Sequence, residues 1–178
     1  MICVTDLSHD LFREYDFSNK VTVDMTCGRG QDTLFLSMIS KKVIAFDIQL
    51  EAIESTKTLL AENKCENVTL IHDTHESIDK YIHEEICGVM YNLGYLPHGE
   101  KTIKTCLEST MNSLKKVLSL LAKDGICILV IYQKHEGNDS MAIKHYYSTL
   151  SSHEFDVIQV NLINKELAPF IIKIIKLK

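Results

Sequence analysis

The stretch VDMTCGRGQDT, Val23 to Thr33, sets an acid, Asp24, ahead of two glycines, Gly28 and Gly30. An apolar run ends there and a helix-like segment begins. Glycines at such a junction let the backbone turn tightly and approach a ligand. The helix that follows presents free N–H groups to an anion. A loop of this kind can hold a pyrophosphate or the carboxylate of S-adenosylmethionine. The dinucleotide fingerprint asks for G-x-G-x-x-G, and Thr33 stands at its third glycine. A methyltransferase turn is an acid and then G-x-G-x-G, and Thr26 stands at its first glycine. A plain strand-to-helix turn would use the same residues.

Asp47 closes the next apolar run, about 20 residues after the turn, where an acid takes the ribose hydroxyls of a nucleoside cofactor. NAD and S-adenosylmethionine both carry that ribose. After a third run, IHDTHES places Asp73 where it can accept from an adenine amino group or cap a short helix. His72 and His75 have the spacing of a metal pair, but no third ligand accompanies them, so no metal is expected. The stretch YNLGYLPHGEK, Tyr91 to Lys101, follows a fourth run. Methyl transfer from a sulfonium needs the acceptor lone pair held in line with the methyl group. An Asn carbonyl can accept from an amine N–H and an aromatic ring can clamp a flat base, so Asn92 and Tyr95 suit those two jobs. NLGY is similar to the N-P-P-Y motif of amino-directed methyltransferases, with Leu93 and Gly94 in place of the prolines. A strand-exit turn of Asn, Gly and Pro is the alternative.

These stretches need a scaffold that brings them to one edge, and the chain alternates strand-like and helix-like segments accordingly. Strands are expected at KVTVDM, KVIAFDI, NVTLIH, EICGVMYN and ICILVIY. Helices are expected at GQDTLFLSMIS, LEAIESTKTLLAENK, ESIDKYI, DSMAIKHYYSTLSS and, longest, KTIKTCLESTMNSLKKVLSLLAKDG with Gly125 as its stop. Alternation of this kind argues for a parallel sheet covered on both faces. Two final runs, FDVIQVNLIN and FIIKIIKLK, have no helix between them and predict an antiparallel hairpin. The expectation is one α/β domain over 1–178: a Rossmann-like, mostly parallel seven-stranded sheet of the class I methyltransferase type.

The 178 residues are 46% hydrophobic and 24% charged, as in ordinary globular proteins. No membrane span and no secretory signal is expected. The six scattered cysteines read as reduced thiols in the cytoplasm. Net charge is −5, so any nucleic-acid contact must come from a local basic patch.

VDMTCGRGQDTLFL, AFDIQLEAI, YNLGYLPHGEKTIKT and IYQKHEG together resemble the bacterial methyltransferases long labelled rRNA methylases, over nearly the whole chain. Members of that family methylate the aminomethyl group of 5-aminomethyl-2-thiouridine at the tRNA wobble position. The resemblance implies S-adenosylmethionine as donor and a homodimer. It implies Asp24, Cys27, Gly28, Gly30, Asp32, Asp47, Gln49 and His75 around the cofactor. Thr26, Gln31, Ile48, Asp73 and Asn92 are counted with them. It implies Asn92, Leu93, Gly94 and Tyr95 at the acceptor. Arg29 stands where the family usually has Asn, His98 replaces a glycine, and YQKHEGNDS replaces a more glycine-rich pattern. Pro97, His98, Lys101, Lys134 and His135 are the expected contacts to the anticodon stem-loop. Lys104 and Lys144 can extend the patch, and Lys115 and Lys116 read better as a solvated helix face. The competing functions are a methyltransferase of rRNA or a small amine, an NAD-binding oxidoreductase, and a non-catalytic nucleotide-binding module.

Overall fold

A computed structural model describes residues 3–93, 107–132 and 138–178, the side chains of 107 and 138–142 excepted. The chain runs α1 (Val4–Arg13), β1 (Phe17–Asp24), α2 (Gln31–Ile39), β2 (Ser40–Asp47), α3 (Leu50–Glu62) and β3 (Val68–His72). A 3-10 turn (His75–Ser77) leads into α4 (Ile78–Tyr81), then come β4 (Ile86–Leu93), α5 (Leu107–Leu120), β5 (Leu121–Ile131), α6 (Asn138–Ser148), β6 (Phe155–Val160) and β7 (Phe170–Lys176). The sheet order is β3-β2-β1-β4-β5-β7-β6. Strands β1 to β5 pair in parallel, and β7 lies antiparallel between β5 and β6. The class I methyltransferase layout expected from the sequence is therefore present. The antiparallel pairing was legible, but the insertion of β7 inside β6 was not.

Side-chain alternation explains why both faces are covered. On β4, Val89, Tyr91 and Leu93 point into one core with Cys127, Leu129 and Ile131 of β5. Ile78, Leu114, Val117, Ile143 and Tyr147 of α4, α5 and α6 close that face. The intervening Met90, Ile126, Ile128 and Val130 point to the other face, under Phe12 of α1 and Phe35 and Leu36 of α2. The central strands β4 and β5 are apolar on both sides because each side meets helices.

Helix α1 lies in a segment where no element is expected from the sequence pattern. It buries Ser8 and Phe12. Full burial of a Phe contributes roughly 1.5–3 kcal/mol, enough to dock a short helix that would not persist alone. Its end is tethered by a buried cation: Lys173 of β7 places Nζ 2.6 Å from Glu14 Oε2 and 4.8 Å from the centre of the Tyr15 ring.

The stop expected at Gly125 falls elsewhere. Helix α5 ends at Leu120, and Leu121 already pairs with Ile86 of β4. The register then slips, with Asp124 at φ 61°, before Ile126 meets Gly88. A Cβ at Gly125 would come within 2.8 Å of the Ala122 carbonyl oxygen, so the glycine serves this bulge and not a helix end.

Candidate active site

Because β1 to β5 are parallel, their carboxyl ends share one edge. β1 has β2 on one side and β4 on the other, so the chain changes direction across the sheet at β1. The crevice outside that switch point is where open α/β sheets bind ligands. Asp24, Asp47, His72 and Leu93 end β1, β2, β3 and β4 respectively, which brings the residues expected around a cofactor to the same edge.

The glycine turn is braced from below by Asp24. Its Oδ1 accepts from the Thr26 N–H at 3.0 Å, and its Oδ2 accepts from the Thr33 hydroxyl at 2.6 Å. Asp24 has no exposed surface, so in this geometry it shapes the site through the loop and does not face a ligand. Burial raises its pKa above the ordinary carboxylate value, and the charge of Asp32 pushes the same way. Gly28 and Gly30 sit at φ 53° and 87°, a left-handed region that costs L-residues energy. Gly30 is the N-cap of α2 and no side chain caps that helix, leaving its first N–H groups for a ligand. Gln31 opens α2 in solvent, whereas Cys27 is buried and burial holds its thiol well above the ordinary value.

Thr26 has a job that its replacement of a glycine concealed. Its hydroxyl accepts from the Asn92 N–H at 2.8 Å and lies 3.2 Å from the Asn92 carbonyl oxygen, to which it donates. The side chain thus continues the β1–β4 pairing after the strand itself has turned away, and fixes the backbone of Asn92.

Asp47 faces the turn. Its Oδ2 accepts from the Gly28 N–H at 2.9 Å and its Oδ1 from the Gln49 N–H at 2.9 Å. A carboxylate has about four acceptor sites, so capacity remains for ribose hydroxyls. Ile48 and Leu50 beside it are 59% and 56% exposed, apolar surfaces of the kind a flat base covers. Across the edge, His75 packs edge-on to Tyr91 with ring centres 5.9 Å apart. Burial pushes its pKa down to about 4, with Glu76 opposing, and its Nε2 is buried without a partner. An orphaned acceptor or donor of this kind is costly unless a ligand completes it. Asp73 accepts from the Thr74 N–H at 2.7 Å and the Tyr81 hydroxyl at 2.9 Å. Its expected alternative role as a helix cap passes to Thr74, whose side chain accepts from the Glu76 N–H. Burial would raise the Asp73 pKa, but Tyr81, Thr74 and Lys80 together hold it below the ordinary value. His72 turns away and bonds the Ile48 carbonyl at 3.1 Å. No group of three metal-ligating side chains occurs among the described residues.

Asn92 is half-buried at the end of β4, and its Nδ2 donates to Asp32 Oδ2 at 3.0 Å. Asp32, on the first turn of α2, is also 2.6 Å from His9 Nε2 through Oδ1. Leu93 is buried in the core, so only its backbone is available to an acceptor. Gly94, Tyr95, Pro97, His98, Lys101, Lys104, Lys134 and His135 lie outside the described residues. Lys116 departs from the solvated face expected for it: Nζ donates to the Glu76 carbonyl and to Asp79, both at 2.8 Å, which pins α5 to the 75–81 segment. Lys115 and Lys144 are exposed.

His9 and Tyr132 were not singled out from the sequence, and Thr33 was read there only as a missing glycine. Tyr132, just past β5, interacts with Thr5 and Asn92; burial raises its phenol pKa, and Asp32 adds to the rise. His9 joins the site through a contact with Asp32, 23 positions away, so spacing carried no signal for it; Thr33 lies within the glycine-turn stretch, where its bond to Asp24 has no fingerprint of its own.

Fold and site together define an α/β protein of the class I methyltransferase architecture, built to hold a nucleoside cofactor beside an amide-bearing strand end. Over residues 43–176 the chain matches the family described as "Putative rRNA methylase", and it belongs to that family. It is 30% identical over 190 residues to a chloroplastic tRNA (mnm5s2U34)-methyltransferase of Arabidopsis thaliana, covering 97% of this chain and 69% of that one. A "putative rRNA-methylase" of Clostridium thermocellum has a structure with TM-score 0.95 at 33% identity, covering 99% of each chain. A "putative methyltransferase" of Streptococcus mutans, solved in complex with SAH, has TM-score 0.93 at 33% identity, also covering 99% of each chain.

Proposed function

We propose that this chain transfers a methyl group from S-adenosylmethionine to the amine of 5-aminomethyl-(2-thio)uridine at the wobble position, 34, of tRNA. The reading rests on one observation above all: the Asn92 amide is held by Asp32 at the end of β4, beside the glycine turn and Asp47. The similarity to the plant enzyme, whose name specifies a modified wobble uridine, favours this acceptor over others.

The residues fit the donor. SAH, bound by the streptococcal relative, is what remains when S-adenosylmethionine gives up its methyl group. The uncapped start of α2 suits a carboxylate, Asp47 suits ribose hydroxyls, and exposed Ile48 and Leu50 suit the adenine face. The His75 Nε2 can be completed by the cofactor's polar edge, with Asp73 and Gln49 flanking that end. The bound donor supplies an electrophilic methyl on a sulfonium.

The protein's part is positional. A neutral amine attacks through its lone pair, so its N–H bonds must point elsewhere. The Asn92 carbonyl accepts one of them, and Tyr95 is assigned to clamp the base. The amine nitrogen gains the methyl and a positive charge, then releases a proton to solvent. Alignment of this sort can lower the barrier by up to roughly 7–11 kcal/mol. Pro97, His98, Lys101, Lys134 and His135 are assigned to the anticodon stem-loop, which offsets the net charge of −5 locally. We place the chain as one methyltransferase domain, working in the cytoplasm as a homodimer. Among the described residues, no helix is long and apolar enough to cross a membrane.

The test is mass spectrometry of wobble nucleosides from a strain lacking this protein, followed by incubation of that tRNA with the purified protein and S-adenosylmethionine. Accumulated aminomethyl-thiouridine that the protein converts is the expected result. An unchanged tRNA profile with a lost methyl group in ribosomal RNA would give the function its family description carries.

A further inference from the structure

Three side chains from three separate elements form a line at the acceptor end of the site. His9 of α1 stacks flat on Phe35, with ring centres 3.9 Å apart and planes 6° apart. Its Nε2 lies 2.6 Å from Asp32 Oδ1, and Asp32 Oδ2 accepts from Asn92 Nδ2 at 3.0 Å. Asp32 is only 6% exposed and His9 only 14% at the side chain, so water does not compete freely for either contact.

The chemistry of the groups gives this line a direction. A carboxylate only accepts, so the His9 nitrogen that faces it must carry a proton, and the Asn92 atom that faces it must be the NH2 group. The Asn92 carbonyl oxygen is then turned away from Asp32. With its backbone clasped by Thr26, Asn92 has little freedom other than rotation of this amide. Asp32 in turn is held at both oxygens, and the partner on the far oxygen is a ring that Phe35 keeps from tilting. Without His9 the carboxylate would lose the partner on its far oxygen, and the Asn92 amide would be left with Asp32 Oδ2 and Tyr132 as its side-chain contacts.

We propose that His9 is a positioning residue for methyl transfer: through Asp32 it sets the Asn92 amide so that its carbonyl oxygen faces the acceptor amine. Helix α1 is thereby part of the active site, although it lies before the glycine turn in sequence. The proposal rests on the amine-methylation reading above, and its test has an arm that does not depend on the substrate.

Two variants separate positioning from packing. His9→Phe keeps an aromatic stack on Phe35 and removes the donor, whereas His9→Gln removes the ring and restores an N–H donor. In His9→Phe we expect kcat for undermethylated tRNA to fall by about tenfold or more, with KM and the S-adenosylmethionine dissociation constant unchanged. His9→Gln should recover most of kcat despite losing the stack. In the 15N-labelled protein without tRNA, the Asn92 side-chain NH2 resonance, identified by its loss in Asn92→Asp, should shift in His9→Phe and return toward its original position in His9→Gln. An unaltered Asn92 resonance in His9→Phe overturns the proposal whatever the substrate proves to be. Wild-type kcat in His9→Phe, or equal loss in both variants together with lowered thermal stability, overturns it in favour of a packing role. Failure of the unsubstituted protein to methylate undermethylated tRNA would sink the functional reading alone, leaving the resonance to decide the role of His9.

Discussion

Asn92 and Asp32 are joined side chain to side chain across the crevice, Nδ2 to Oδ2 at 3.0 Å, while the Asn92 N–H is held separately by Thr26 at 2.8 Å. Backbone and side chain of Asn92 are therefore anchored by different partners. Truncating the side chain leaves the backbone clasp in place.

That division predicts the outcome for Asn92→Ala. The strand end keeps its position, so S-adenosylmethionine should bind as before in calorimetry. Methyl transfer should fall by about a hundredfold or more, because the acceptor loses its orienting group. Turnover equal to that of the unsubstituted protein would remove Asn92 from the site.

Asp47→Ala should act on the cofactor instead. The variant removes the acceptor for the Gly28 and Gln49 N–H groups and any bond to the ribose. The dissociation constant for S-adenosylmethionine should rise by about 10- to 100-fold, matching a loss of roughly 1–3 kcal/mol. Asp47→Asn, which retains one acceptor oxygen, should fall between the two. A titration that gives the same constant for all three proteins would exclude the ribose role.

Gly30→Ala tests the turn itself. At φ 87° an alanine is strained, and its Cβ would stand 3.0 Å from the Cα and side chain of Thr56. Thr56 Cα is backbone of α3 and cannot swing aside. We expect a loss of about 1–2 kcal/mol or more in urea unfolding, with weaker cofactor binding as the loop shifts. Full stability in the variant would show that α3 can give way.

The pH dependence of stability should carry the mark of His75. Its folded pKa is lowered to about 4, so between that value and the ordinary 6.5 the unfolded chain binds a proton that the folded chain does not. Stability contributed by this ring is therefore present above about 6.5 and is lost as the pH falls toward about 4, by up to about 3 kcal/mol. Asp24 works in the other direction: its folded pKa is raised, so its contribution is greatest in acid and declines as the pH rises above the ordinary carboxylate value. Comparing His75→Gln with the unsubstituted protein isolates the His75 part. The gap between thermal midpoints at pH 7 and pH 5 should narrow in the variant; an identical gap would refute the assignment.

Much of the scaffold was legible because it depends on local patterns. Continuous apolar runs alternating with amphipathic segments specified a parallel sheet with two covered faces, and Gly28, Gly30 and Asp47 fell at the carboxyl edge where such a sheet turns. Helix α1 was missed because its value lies in Phe12 meeting a sheet face assembled from later strands. The supposed stop at Gly125 failed because pairing with β4 captures Leu121 before the helical pattern ends. Lys116 looked like a solvated lysine because its partners, Glu76 and Asp79, are brought near only when α5 packs on the 75–81 segment.

The sequence by itself determined the chain order of the strands and of the helices after α1, the placement of the glycine turn, and which acid and amide would stand at the ends of β2 and β4. Local geometry suffices for these, since a strand must exit somewhere and its last residues reach the edge. Tertiary structure decided what those residues touch. Thr26 clasps Asn92 across 66 positions, and His9 meets Asp32 across 23. No spacing rule spans such gaps, because the contacts exist only once β4 pairs with β1 and α1 packs beside α2. The direction in which the Asn92 amide points is set by that packing, through a carboxylate that can only accept.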